Sequence, residues 1–374
     1  GDAAPVPLSE LYGMGHFWLA RAWHQFYWTA FALMLLVGAH LLWRRGTETR
    51  LRPRFALAPK RLQGPAGVIM GLFTLAWVGS GAYIFYNSNV LNRYITEPEQ
   101  EQLLADAERL LLPLETLPQP KITHVSLDVA LHPRERVALA TGEYTLVNRH
   151  EVPVLQLIVS TPRELAIEKL DMSGSRLETT YEEFGVRIYT LEEPMAPGET
   201  RTLRFVTRLQ EQGFPNSNAQ TRLVTNGTFI NNAEISPLLG IDRTIFLRDR
   251  ATRRKYDLPE ELRVARLEDE TANSSHYLRP DSDWVTADIR LSTDADQTPV
   301  APGMTVSDTT ADGRRTVVTR TESPIQHFFS LQSARYARAD DTWVNSEGSS
   351  VALAVYYHPE HEHNVQRMLD AMQI

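Results

Sequence analysis

Gly64-Pro65-Ala66-Gly67-Val68-Ile69-Met70-Gly71-Leu72-Phe73-Thr74-Leu75-Ala76-Trp77-Val78-Gly79-Ser80-Gly81-Ala82-Tyr83-Ile84-Phe85-Tyr86 contains no charged side chain. As a helix rising about 1.5 Å per residue, such a run spans a hydrocarbon layer of about 30 Å. A second uncharged run lies just upstream, Phe26 to Trp43. Its helix is expected to begin near Phe17, with Arg21 and His24 in the outer turns. One buried core helix would explain one run. Two neighbouring runs with interface aromatics favour a transmembrane hairpin.

The connecting loop orients the hairpin. It carries Arg44, Arg45, Arg50, Arg52, Arg54, Lys60 and Arg61 against the single acid Glu48. Short loops rich in Arg and Lys stay cytoplasmic, so both hairpin ends are expected outside. Trp18, Trp23, Tyr27, Trp28, Tyr83 and Tyr86 then mark the outer interface. Residues 87–374 are expected to be extracytoplasmic, which is periplasmic in a bacterium with an inner membrane. Two full spans flanking a basic loop do not make a signal peptide. Gly67 and Gly71 share a helix face and favour close packing against other membrane helices. Arg21 and His24 read either as intramembrane functional groups or, the favoured reading, as side chains snorkelling to the headgroups.

The chain has 374 residues, a net charge of −8 and no cysteine. Disulfides, thiolate metal sites and cysteine nucleophiles are excluded. The acidic balance argues against a nucleic-acid partner, since phosphate contacts need a basic face. The start at Gly1 and the end at Ile374, just after a helical pattern, read as cuts in a longer polypeptide.

Downstream, Thr96-Glu97-Pro98-Glu99 opens an amphipathic helix with Leu103, Leu104, Ala107, Leu110 and Leu111 on its apolar face. It is expected against the membrane surface or under the next domain. Then the period becomes two: Val125, Leu127, Val129 and Leu131 alternate with Ser126, Asp128, Ala130 and His132. Further strands are expected at Tyr144–Asn148, Val154–Ser160, Val186–Leu191, Thr202–Leu209, Trp284–Leu291, Arg315–Thr321, His327–Ala337 and Val351–Tyr357. The stretch 213–233 reads as loop with short strand pieces, 303–313 as a polar loop, and Arg248–Lys255 as a solvated basic loop or short helix. The fold class is thus a membrane α-helical hairpin plus an all-β extracytoplasmic domain with a large antiparallel sheet system.

No HExxH pair, Gly-rich phosphate loop or GxSxG elbow is present. No catalytic residue and no metal ligand is assigned. His358, His361 and His363 with Glu360 and Glu362 have imidazole and carboxylate donors. Their spacing and Pro359 favour a polar turn into a helix instead. Asn226-Gly227-Thr228 and Asn273-Ser274-Ser275 match the glycosylation pattern. Asn231, Asn232 and Glu234 form a polar patch after Phe229-Ile230. It reads as a capped loop or as a substrate-binding loop.

From about Lys121 onward the chain resembles the N-terminal β domain of the aminopeptidase N family, the gluzincin zinc metallopeptidases. The residues behind this are Ile122–Asp128, Gly142–Asn148, Asp283–Thr286, Val300–Gly303, Ser323–Ser330 and Val355–Pro359. More narrowly, the chain resembles bacterial ABC-exporter-type permeases fused to an aminopeptidase module. That likeness rests on Trp43–Arg50, Asn87–Tyr94, Phe214–Asn216 and Asn226–Phe229. It implies a saddle-like β-sandwich and a division into 1–95 (hairpin, spans 17–43 and 64–86, loop 44–63), 96–120 (juxtamembrane helix and linker), 121–358 (β domain) and 359–374 (start of a catalytic domain). It implies zinc in that missing catalytic domain and no cofactor in this chain. The partners it implies are other permease helices, cytoplasmic ABC ATPase subunits and a peptide substrate. In the wider family this domain lends a side chain to the substrate's amino group. The matching loop is near Asn231–Glu234, but the usual residues are not recognisable there. Three readings follow: a non-catalytic scaffold for a zinc aminopeptidase, a peptide-binding or docking module without hydrolysis, and a purely structural part of a transporter.

Overall fold

The apolar runs form helices α1 (Trp18–Leu42) and α3 (Pro65–Phe85), and Pro65 sits in the first turn of α3, where its missing N–H costs nothing. The computed structural model describes residues 5–43, 50–216, 219–259, 268–270, 279 and 281–373. Residues 44–49 of the basic loop, the 273–275 glycosylation pattern, and Gly1 and Ile374 lie outside the described residues. The chain divides into two units. The first comprises Gly1–Ser9, Gly13–Tyr94 and Gln212–Gln220, and the second comprises Glu10–Tyr12, Ile95–Glu211 and Thr221–Ile374.

In the first unit the loop expected at 44–63 contains a helix, α2 (Leu51–Leu62), which holds Arg52, Arg54, Lys60 and Arg61. The Arg61 guanidinium donates to the Leu41 carbonyl and so caps the end of α1. α1 and α3 pack through aromatic rings: Trp23 on Tyr83 at 4.4 Å, and Tyr27 stacked on Trp77 at 5.6 Å. The close glycine is Gly81, where an added Cβ would lie 3.1 Å from the Tyr27 ring. Gly71 has open space beside it, so it makes no close contact with α1. The polar side chains of α3 bond their own backbone, Thr74 to the Met70 carbonyl and Ser80 to the Trp77 carbonyl. His24 donates from Nδ1 to the Ala20 carbonyl at 2.7 Å. Leu35, Leu36, Leu72, Leu75 and Val78 remain exposed, unlike the side chains of a soluble core helix. Both helices are long and apolar enough to cross a membrane. A π-helical turn, Tyr86–Val90, follows α3. On it, Asn87 donates to the Tyr83 carbonyl. Phe214 packs with Ala20, Trp23 and Ile84.

The second unit opens with α4 (Glu97–Leu111), whose Thr96–Glu99 capping box forms as expected, with the Thr96 N–H donating to Glu99 Oε2 at 2.9 Å. Its strands and helices run β1 (Lys121–His132), β2 (Val137–Val147), β3 (Val154–Ser160), β4 (Leu165–Met172), β5 (Ser175–Tyr181), β6 (Val186–Met195), β7 (Thr200–Gln210), β8 (Thr228–Asn231), α5 (Asn232–Ile235), β9 (Leu238–Leu239) and α6 (Arg250–Lys255). Then come β10 (Ser282–Asp294), β11 (Thr298–Val300), β12 (Met304–Ala311), β13 (Arg314–Arg320), β14 (Ile325–Gln326), β15 (Ser330–Ala334), β16 (Ala337–Val344), β17 (Ser350–Tyr357) and α7 (Val365–Met372).

The largest sheet has the order β12-β13-β10-β1-β2-β7-β4, with β14 also on β10. It is mixed rather than antiparallel: β1 and β10 run parallel, with Leu127 opposite Ile289. Smaller sheets are β5-β6-β3-β9, β11-β15-β8 and β16-β17. The main core joins Val125, Leu127, Val129 and Leu131 of β1 and Val285, Ala287, Ile289 and Leu291 of β10 to Leu157 and Tyr189 of the four-stranded sheet and Ile230 and Leu331 of the three-stranded one. The period-two patterns of β1 and β10 therefore face this core, as their alternation predicts.

Three local expectations change. The polar stretch 303–313 holds β12, whose residues are all exposed, so no burial imprints a pattern on it. The run expected as one strand at His327–Ala337 holds only β15 and the first residue of β16, with His327–Phe329 outside any strand. On α4 the buried stripe is Ala105, Ala107, Glu108 and Leu111, while Leu110 is exposed. Ala107 and Leu111 pack with Ile158 of β3 and Val186 of β6, so α4 covers a sheet.

Candidate functional site

The turn predicted from Asn231, Asn232 and Glu234 is α5, and it is built as a reciprocal cap. The Asn231 N–H donates to Glu234 Oε2 at 2.8 Å, and the Asn231 side chain accepts from the backbone one turn on. β8 is the edge of its sheet. Its outward N–H groups are occupied, Phe229 N–H by the Arg222 carbonyl and Asn231 N–H by Glu234. Asn232 is fully buried. Its amide donates to the His327 carbonyl at 3.3 Å and accepts from Phe329 N–H at 3.0 Å. That side chain is committed to the fold, whereas Asn231 and Glu234 are part-exposed.

On the outer side of the turn, Arg222 stands between two carboxylates. Its Nε donates to Glu211 Oε1 at 3.0 Å, and Nη1 lies 3.6 Å from Glu234 Oε1. Glu211 is almost wholly buried and its Oε2 has no partner. Burial pushes its carboxyl up to about 7, against the pull of the Arg222 and Arg136 guanidiniums. An unpartnered oxygen suits a carboxyl that holds a proton near neutrality.

On the inner side lies a buried polar network. Arg279 grips Asp281 bidentately, Nε to Oδ1 at 2.9 Å and Nη2 to Oδ2 at 2.7 Å. Asp281 Oδ2 also accepts Leu239 N–H at 2.9 Å. The Pro237 carbonyl accepts from Tyr144 O–H at 3.1 Å and from Arg279 Nη2 at 3.3 Å. Burial raises the Tyr144 hydroxyl to about 12. Burial alone would raise Asp281, but the guanidinium overcomes it and holds the carboxyl below its ordinary value. His327 stands edge-on to Tyr144 at 5.4 Å, and neither ring nitrogen has a partner.

The sequence marked Asn231, Asn232 and Glu234 but not Glu211, Arg222, Arg279, Asp281 or His327. Those are isolated charges or strand-end residues that meet only in the folded chain. In the histidine cluster the rings of His358 and His361 lie 4.8 Å apart, tilted by 37°. His361 Nδ1 lies 3.1 Å from Glu10, while His358 Nδ1 accepts the Glu360 N–H. Among the described residues no three His, Asp or Glu could share a metal ion, so the residues present do not fit zinc. Asn226, of the first glycosylation pattern, spends its amide on the Leu11 carbonyl at 2.5 Å and the Arg335 N–H at 2.7 Å.

No family model matches the chain, and no curated protein matches it. Solved structures similar to it include an M1 zinc metallopeptidase from Deinococcus radiodurans, at 17% identity and a TM-score of 0.42, covering 67% of this chain and 52% of that one. Another is aminopeptidase A of Legionella pneumophila, at 13% identity and a TM-score of 0.47, covering 70% of this chain and 27% of that one. The chain thus spans about half the length of the first and about a quarter of the second.

Proposed function

We propose that this chain is the membrane anchor and non-catalytic β domain of an ABC-transporter-associated zinc aminopeptidase, with the β domain outside the bacterial inner membrane. One observation carries the reading: two lipid-length helices keep their apolar faces exposed and belong to the same chain as a folded β unit. The peptidase part is supported by the sequence resemblance from Lys121 onward. In this reading zinc is held by a catalytic domain outside these residues, the other permease helices and ATPase subunits are partners, and a peptide is the substrate. The edge formed by Asn231 and Glu234 faces that peptide, while Asn232 only holds the turn.

The test is the metal content of the natural full-length polypeptide, paired with hydrolysis of aminoacyl reporter substrates. About one zinc per chain and chelator-sensitive release of the N-terminal residue support the scaffold reading. A metal-free, inactive protein rejects it in favour of a tethered peptide-binding or docking module.

A further inference from the structure

His327 is 2% exposed and both its ring nitrogens lack partners. Buried polar atoms in native folds are almost always paired, so this ring is poised rather than satisfied. The same residue helps fix the segment that carries Asn231 and Glu234. Its carbonyl accepts the Asn232 amide, and two residues on Phe329 both accepts the Asn232 N–H and donates to the Asn232 side chain. The rest of segment 231–239 is pinned around the ring. Thr207 donates to the Ile235 carbonyl, Tyr144 and Arg279 donate to Pro237, and Asp281 accepts from Leu239.

The charged and titratable groups facing the ring are few. Tyr144 comes from β2, and Arg279 and Asp281 come from the residues ahead of β10. α5 adds only the Asn232 amide. Among the described residues Asp281 is therefore the carboxylate that answers a positive imidazole, and both its oxygens are already engaged by Arg279 and the Leu239 N–H.

We propose that His327 is an acid-responsive latch on segment 231–239. When the ring takes a proton from solvent, it competes with Arg279 and the Leu239 N–H for Asp281, and the turn that carries Asn231 and Glu234 is released. Burial holds the ring well below its ordinary value of 6.5, and the Arg279 charge acts the same way. The folded segment therefore resists the proton while the opened one accepts it. Opening should rise about tenfold per pH unit below 6.5. The latch does not depend on the peptidase reading, since its readout is local order.

Hydrogen exchange by mass spectrometry on the intact protein in detergent micelles tests it, at about pH 7.5 and about pH 5, corrected for intrinsic rates. Opening of peptides spanning 228–240 should rise about 30-fold, while peptides of β6 and β7 should not change. His327→Gln and His327→Phe should each reduce that acid response to about twofold or less. An equal response in the variants, no response in the unmodified protein, or equal opening of β6 and β7 overturns the latch. If neither variant folds, imidazole NMR of the unmodified protein decides. A ring that protonates near 6.5 while the segment stays protected overturns it, and a ring that protonates only as the segment opens supports it.

Discussion

At the scale of single residues, the second unit hides charge where the sequence suggests solvent. Arg253 lies in the basic run 248–255 yet is 1% exposed. Its Nη1 and Nη2 each meet a Glu108 oxygen at 2.6 Å, Nη1 also reaches the Leu247 carbonyl at 2.6 Å, and Nε meets the Pro259 carbonyl at 2.7 Å. Removing one partner leaves the other buried and uncompensated. Glu108→Leu should cost about 3–5 kcal/mol in a denaturant melt, and the Glu108→Leu/Arg253→Met double variant should recover most of it. Gly142 makes a steric prediction. A Cβ there would sit 2.1 Å from the Phe205 ring, so Gly142→Ala should cost about 1–3 kcal/mol. Combined with Phe205→Leu, its cost should shrink, which a double-mutant cycle reads directly. Glu211 sets a pH dependence. Its folded carboxyl is raised to about 7 from 4.5, so between these values the folded state holds the extra proton. Its contribution to stability is full below 4.5 and is lost as pH rises to about 7. Glu211→Gln, which keeps an acceptor for Arg222, should flatten that decline in melts across the window. His327 acts with the opposite sign, losing stability as pH falls below 6.5.

At the scale of elements, α4 is bolted to segment 243–256 by polar contacts as well as by its apolar stripe. Lys255 pairs with Glu101 at 2.6 Å and Arg109 reaches the Tyr256 carbonyl at 2.5 Å. At its start, Thr96→Ala breaks the capping box and should cost about 1 kcal/mol, read as faster exchange in the first turn of α4. The sequence places this helix well because its cap and period are local. It misassigns the buried stripe because Glu108 looks like a surface residue until Arg253 arrives from 145 positions away. β12 shows the converse: a strand paired on one side to β13 and exposed along its length leaves no alternation to read.

At the scale of the whole molecule, the orientation of the hairpin is the main prediction. The chain has no native cysteine, so single introduced thiols report without background. Gln63 and Ser346 are both exposed. With an impermeant maleimide on intact cells stripped of the outer membrane, Ser346→Cys should label at once and Gln63→Cys only after permeabilisation. Labelling of both from outside would mean that the helices do not form a spanning hairpin, and the reverse pattern would invert it.

The two apolar helices, the cap of α4, and the strands whose two faces differ, such as β1 and β10, were legible in the residues alone. Each of these is written in spacings of two to four residues, within reach of a local reading. Asn231, Asn232 and Glu234 were legible as a capped polar turn for the same reason. The parallel pairing of β1 with β10, the burial of Arg253 with Glu108, and the convergence of Glu211 and Arg222 on Glu234 and of Arg279, Asp281 and His327 on Asn232 emerge only in the folded chain. These are contacts between groups up to about 160 residues apart. A pairing energy set by burial and distance leaves no periodic trace in the chain that carries it.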